Sequence, residues 1–197
     1  MNEIDDENLA KKAMKDENLL SELLQNLLSK EDKTRFPSFK ALRIISEKQP
    51  ELLYPKWEFI SDLIDSDNAH RKFIAVNLIP NLTKIDTENK FEKIFEKFYD
   101  LLGDSVIVAG HVAANSGKIV KAKPKLEAKI TNKLLNIDKT NHKHKDLIKS
   151  GAIETFDEYF ETAKDKKRIL EFVKEQLECT SPKTRKKAKE FLKKWEK

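Results

Sequence analysis

Apolar residues recur every three or four positions along most of the chain, in stripes separated by polar turns. This spacing places each stripe on one side of an α-helix. The stripes are Leu20, Leu24 and Leu27; Leu53, Trp57, Ile60 and Ile64; Ile94, Phe98 and Leu101; Leu126, Ile130 and Leu134; and Ile169, Val173 and Leu177. They predict five amphipathic helices, here called A helices, and an all-α fold class.

A second pattern follows each stripe, and it recurs with a fixed period. A basic residue is followed seven positions later by an apolar one, as in Arg35 with Leu42 or Arg185 with Leu192. A weaker copy has Val108 in the basic position and Asn115 in the apolar position. The anchor positions 35, 71, 108, 149 and 185 are separated by 36, 37, 41 and 36 residues. This period predicts five helix pairs, each an A helix followed by a B helix that carries the anchor.

The second copy, with Asp65 six residues before Arg71, resembles the HEAT-repeat family, and the period fits the HEAT and armadillo range. The resemblance implies a right-handed α-α superhelix (solenoid) of about five HEAT-like helix pairs. Residues 16–197 would form a single repeat domain after a polar segment, 1–15, that could hold a short helix. The predicted repeats are approximately 16–48, 50–86, 88–121, 122–163 and 165–197. The other copies have Ser29, Leu102, Lys143 and Cys179 where the family has Asp.

The resemblance implies that B helices line a concave face where partners bind. On the third B helix, His111, Asn115 and Lys118 form one polar stripe. A stripe of small residues, Gly110, Ala114 and Gly117, lies beside it and has two interpretations: tight helix packing, or a ligand or peptide site. The fourth B helix adds an acidic strip, either a solvated face or part of the same binding surface: Glu154, Asp157, Glu158 and Glu161.

The positive charge is concentrated at the C-terminal end. Residues 164–197 hold 13 Lys or Arg and 6 Asp or Glu, which is more than the whole excess of the chain, whose net charge is +5. The last B helix contains a basic patch of seven residues: Lys183, Arg185, Lys186, Lys187, Lys189, Lys193 and Lys194. The patch, beside Trp195, has three interpretations: a polar cap on the last repeat, a surface for an acidic protein, or a nucleic-acid site.

No pattern indicates a cofactor, and the single cysteine cannot form an internal disulfide or a cysteine-based zinc site. His142 and His144 alternate in a polar turn, but a third metal ligand is missing. HEAT-like DNA glycosylases use a comparable scaffold, yet the sequence shows no aromatic residue paired with Asp on a central B helix. No stretch approaches ~18 apolar residues and the first residues do not resemble a signal peptide, so we expect a cytoplasmic protein without a membrane partner.

These observations predict a non-catalytic scaffold that binds a protein or peptide through its concave B-helix face. The binding residues would be His111, Asn115, Lys118, Glu154 and Asp157. The alternative is nucleic-acid binding by the basic patch, and a third possibility is the HEAT-like DNA glycosylase.

Overall fold

The computed structural model describes residues 3–196, and these form eleven α-helices with no strand among them. Helix α1, Glu3–Ala13, precedes five helix pairs. The pairs are α2, Glu17–Asn26, with α3, Asp32–Lys48; α4, Trp57–Asp62, with α5, Ala69–Leu82; α6, Lys90–Asp100, with α7, Val106–Ala122; α8, Glu127–Leu135, with α9, Lys145–Tyr159; and α10, Lys166–Glu175, with α11, Pro182–Trp195. The predicted all-α class is confirmed, whereas the superhelical arrangement stays a prediction.

The turns between A and B helices follow one local plan. Four of the A helices are followed by a 3₁₀ turn, at Leu63–Asp65, Leu101–Gly103, Ile137–Lys139 and Gln176–Glu178. Several B helices then begin at a capping side chain. The Ser105 and Ser181 hydroxyls accept hydrogen bonds from the N–H groups three residues later, and Asn68 accepts one from the His70 N–H. These caps satisfy helix donors that would otherwise lack a partner, and so fix where each B helix begins.

The chain divides into two compact units, and the division falls inside α6, between Glu92 and Lys93. In the first unit, α3 packs against α1, α2 and α5. In the second unit, α7 packs against α9, and α9 packs against α11. The B helices of the second unit therefore form a row of three, with their apolar sides buried. The prediction of one repeat domain over 16–197 stays a prediction.

The basic anchors tie four of the B helices to a neighbouring turn. Arg35 and Arg185 each donate to the backbone carbonyl six residues earlier, Ser29 O at 2.7 Å and Cys179 O at 2.6 Å. Arg71 donates to Leu28 O at 3.3 Å. The buried ammonium of Lys149 lies 2.8 Å from the Asp138 carboxylate. In repeats one and five, a carbonyl therefore accepts the hydrogen bond at the position where the HEAT pattern places Asp.

The weak third copy of the pattern is displaced by one residue from its predicted frame. In α9 the positions three, four and seven residues after the anchor Lys149 are buried. In α7 the buried residues Val112, Ala113 and Ser116 lie three, four and seven positions after Ala109. The equivalent anchor of α7 is therefore Ala109. The predicted apolar partner, Asn115, is only half buried. The prediction of Val108 and Asn115 was wrong because the true positions do not show the expected residue types. Ala109 is not basic at the anchor position, and Ser116 is not a large apolar residue seven positions later.

Within residues 3–196, no helix combines the length and apolar character needed to cross a bilayer.

Candidate functional site

Neighbouring B helices of the second unit meet at two equivalent positions, and the chemistry differs between the two interfaces. Between α9 and α11 these positions hold ion pairs, Lys187 with Glu154 at 3.4 Å and Lys194 with Asp157 at 2.9 Å. When positions are counted from the anchors Ala109 of α7 and Lys149 of α9, the equivalent positions of the α7–α9 interface hold two pairs. These are Gly151 beside Ala114 and Glu158 beside Gly117. Small residues therefore stand at three of these four positions, where the next interface has charged side chains, and Glu158 is the exception.

This replacement brings α7 and α9 close together. A Cβ on the buried Gly151 would lie 2.9 Å from the Ala114 nitrogen and 2.9 Å from the Gly110 oxygen, closer than real Cβ atoms approach. The buried Thr155 hydroxyl reinforces the contact, because it donates to Ala113 O at 2.6 Å and accepts from the Gly117 N–H at 3.2 Å. Glycine at position 151 is thus required by the packing of two helix backbones.

A groove opens above this contact, between the first turns of α7 and α9, and its volume is about 380 Å³. Its floor is made of small residues and helix backbone, with Gly110, Ala114, Ser150 and Gly151 contributing. A Cβ on Gly110 would meet no atom within 4 Å, so this glycine faces open space. The small-residue stripe is therefore divided: Gly117 contacts the Glu158 side chain of α9, whereas Gly110 lines the groove.

The walls of the groove are two exposed aliphatic side chains, Ile107 at 62% and Leu147 at 43% exposure. Among the described residues, the large exposed apolar side chains are these two and Phe36, and all three lie in the first two turns of B helices. Ile107 and Leu147 each stand two residues before an anchor, and Lys183 has the same position on α11. Exposed apolar side chains beside a groove are typical of interaction sites.

The structure brings together some of the predicted binding residues and separates others. His111 and Glu154 line the groove with Lys183, which the sequence had placed in the basic patch. Asn115 and Lys118 lie farther along α7, half buried and outside the groove lining. The Asp157 carboxylate accepts hydrogen bonds from Lys194 and, at 2.6 Å, from the Trp195 ring nitrogen. That carboxylate is thus engaged by α11.

The acidic strip of α9 is largely neutralised by lysines of neighbouring helices. Lys187 pairs with Glu154, Lys194 with Asp157, and Lys121 with Glu158 at 2.8 Å. Charges that the sequence left open to solvent are therefore paired across the α7–α9 and α9–α11 interfaces. Glu161 is exposed on the turn that follows α9.

The basic patch is partly used inside the unit as well. Arg185, Lys187 and Lys194 make the contacts described above, and Lys186 lies 3.9 Å from Glu190. Lys183, Lys189 and Lys193 are exposed and form no ion pair with any described residue. Trp195 packs beside Phe160, with ring centres 5.2 Å apart, and the Lys194 ammonium lies 4.6 Å from its ring centre. The aromatic ring that would favour nucleic-acid stacking is thus engaged within the unit.

Sequence reasoning missed Ile107, Leu147, Ser150 and Gly151. A usable signal existed for Leu147, because it stands two residues before the anchor Lys149, at the position where the fifth repeat has Lys183. Ile107 carried no such signal, because its anchor, Ala109, is recognised only from the burial pattern of α7. An aliphatic residue at a position expected to be exposed marks a candidate contact. Gly151 carried no such signal, since its role depends on the helix facing it.

The groups with shifted pKa values lie in structural hydrogen bonds. Burial raises the pKa of Tyr99, whose hydroxyl donates to Ser116 Oγ at 3.0 Å. Burial also raises the pKa of Tyr159, which shares a hydrogen bond with Thr131. Hydrogen bonds from the Thr180 hydroxyl and N–H lower the pKa of Asp146. None of these groups lines the α7–α9 groove.

The two histidines of the polar turn do contact each other: the His144 N–H donates to His142 Nδ1 at 2.9 Å. Over the described residues, no group of three or more His, Cys, Asp or Glu side chains is arranged to hold a metal ion.

No protein-family model, curated protein or solved structure matches this chain. Membership of the HEAT-repeat family therefore stays a prediction.

Proposed function

We propose that the chain is a non-catalytic interaction scaffold and that its second unit binds a peptide segment of a partner protein in the α7–α9 groove. The observation that carries this proposal is the pair of exposed aliphatic walls, Ile107 and Leu147, above a floor of helix backbone. Glycines inside helices weaken them, and at Gly110 no neighbouring atom within 4 Å of an added Cβ explains why a side chain is absent. A ligand that needs this space would account for it.

The dimensions and chemistry of the groove support a peptide ligand. Its volume of about 380 Å³ falls in the range of small-ligand sites. Complete burial of an Ile or Leu side chain is worth about 1.5–3 kcal/mol, so covering the exposed parts of Ile107 and Leu147 would contribute roughly 2 kcal/mol. His111, Ser150 and Glu154 line the same groove and provide polar groups that would orient a backbone.

A substitution that fills the groove tests the proposal. Because a Cβ on Gly110 meets no atom, Gly110→Leu fills the groove with little disturbance of α7 and α9. Gly103→Leu is the matched control, since Gly103 is equally unobstructed and lies outside the groove. Random 12-residue peptides would be selected on the wild-type protein, and their affinities measured on both variants.

We expect peptides that shift the methyl NMR signals of Ile107 and Leu147, bind the Gly103→Leu protein normally and lose about tenfold or more in affinity for Gly110→Leu. The proposal fails if no peptide perturbs those methyl groups, or if Gly110→Leu leaves the affinity unchanged.

One observation favours nucleic-acid binding as a second candidate function: Lys183, Lys189 and Lys193 are exposed without ion pairs to described residues. This alternative predicts retention on DNA or RNA that falls steeply with salt and disappears when Lys183, Lys189 and Lys193 are changed to Gln. Absence of retention at low salt would end it.

A further inference from the structure

The row of B helices in the second unit changes chemistry from one end to the other. The residues two positions before the anchors of α7, α9 and α11 are Ile107, Leu147 and Lys183. The residues one position after the same anchors are Gly110, Ser150 and Lys186. The surface at the first turns is therefore apolar and small on α7 and α9, and basic on α11.

From this order we infer that the partner segment carries aliphatic side chains for the α7–α9 groove and, next to them, acidic side chains for α11. The inference rests on the proposed function and specifies the ligand. An oligonucleotide would satisfy the two lysines but would leave Ile107 and Leu147 uncovered, whereas a segment with both kinds of side chain matches the whole row.

The electrostatics of the row favour an acidic partner. Lys183 lines the groove and forms no ion pair with a described residue. Lys186 is 3.9 Å from Glu190, but both side chains are more than half exposed, so this contact is weak. The carboxylate that lines the groove, Glu154, is already paired with Lys187. The uncompensated charge at the α11 end is therefore positive.

The spacing of packed helices sets the spacing in the ligand. Neighbouring packed helices lie about 8–10 Å apart, and an extended peptide rises about 3.3 Å per residue. One helix spacing thus corresponds to about three residues. The acidic side chain should therefore lie about three positions from the aliphatic side chain that contacts Leu147, on its N-terminal or its C-terminal side.

Synthetic peptides test the inference directly. Three fluorescently labelled peptides would share two leucines about three residues apart, followed about three residues later by a tract of Glu, Gln or Lys. A fourth peptide would keep the Glu tract and have Ser in place of both leucines. Fluorescence anisotropy would give their affinities for the wild-type protein, for Lys183→Glu/Lys186→Glu, and for Lys125→Glu/Lys129→Glu. The last variant is the matched control, because it makes the same charge change at exposed lysines of the α8 segment, outside the groove.

We expect the Leu–Glu peptide to bind the wild type about tenfold more tightly than the Leu–Gln peptide, with the Leu–Lys and Ser–Glu peptides weaker. The Lys183→Glu/Lys186→Glu protein should prefer the Leu–Lys peptide, and the control variant should keep the wild-type ranking.

The remaining outcomes each have a distinct meaning. Equal binding of the Glu, Gln and Lys peptides, with loss on Gly110→Leu, overturns the acidic ligand and leaves the proposed function standing. Failure of every leucine peptide to bind, in both chain directions, overturns the ligand inferred here, whereas the proposed function is overturned only if the selected random peptides fail as well. Displacement of the Leu–Glu peptide by a short single-stranded oligonucleotide of the same charge would show that the lysines, and not the apolar groove, select the ligand.

Discussion

Two glycine-to-alanine substitutions, one on each side of the α7–α9 contact, should change stability in opposite directions. Gly151 and Gly110 both lie inside helices of the same unit, so the change to Ala improves helix propensity by about 1 kcal/mol in each case. The effect of the change on the unfolded chain is also similar at both positions. The difference between the two variants therefore isolates packing.

The packing effect follows from the distances at each site. At Gly151 the new Cβ would lie 2.9 Å from two backbone atoms, about 0.5 Å short of the 3.4 Å at which ordinary contact begins. Backbone atoms of a buried helix cannot swing aside, so α7 and α9 must separate. Overpacking of this kind costs about 1–3 kcal/mol. At Gly110 the new Cβ meets nothing within 4 Å, so the propensity gain remains.

Subtracting the propensity gain of about 1 kcal/mol from the overpacking cost of about 1–3 kcal/mol, we expect Gly151→Ala to be less stable than wild type by up to about 2 kcal/mol. Gly110→Ala should be more stable than wild type by up to about 1 kcal/mol. Urea unfolding followed by far-UV circular dichroism, with the slope of the transition compared between variants, gives both values. The packing argument is refuted if Gly151→Ala is as stable as Gly110→Ala.

Three further predictions concern buried and bridging polar groups. Thr155→Val should lower the free energy of unfolding by about 1–2 kcal/mol in the same urea assay, because it removes hydrogen bonds to the α7 backbone while keeping the side-chain shape; no change would mean that the helix satisfies these groups alone. Asp146→Asn should destabilise by about 1–2 kcal/mol at pH 7, since the lowered pKa of Asp146 adds stability above its ordinary value of 3.8. That stability is lost as the pH falls through the lowered pKa, so an equal deficit at pH 2 and pH 7 would contradict the assignment. Burial and a hydrogen bond to Asp86 raise the pKa of Tyr54 to about 12, and the other two tyrosines are raised as well, so the folded protein should show no tyrosinate absorbance near pH 10. The raised tyrosine pKa values contribute stability that is fully present below pH 10 and is lost as the pH rises through the raised values. Unfolding curves measured at alkaline pH would show this loss. A tyrosine that titrates at pH 10 in the folded protein would disprove the assignment.

The local periodicity of the sequence determined the helices. Stripes such as Leu126, Ile130 and Leu134 predicted the A helices, and the anchors predicted the B helices, because a helix is specified by residues three or four positions apart. The third B helix shows the limit of this reasoning. Its anchor is Ala109 and not Val108, and a small neutral residue at an anchor leaves no trace that a pattern of basic residues can detect.

The groove was decided by the tertiary structure, because it depends on which side chains face each other across about 40 residues of sequence. Gly151 is required by the backbone of α7, and Asp157 is engaged by Trp195, although neither relation is visible within a single helix. The sequence placed His111 and Glu154 on neighbouring helices, but only packing could bring Lys183 beside them and leave Ile107 and Leu147 uncovered. Helical periodicity fixes the direction of a side chain on its own helix, whereas the depth of a groove depends on how closely the next helix approaches.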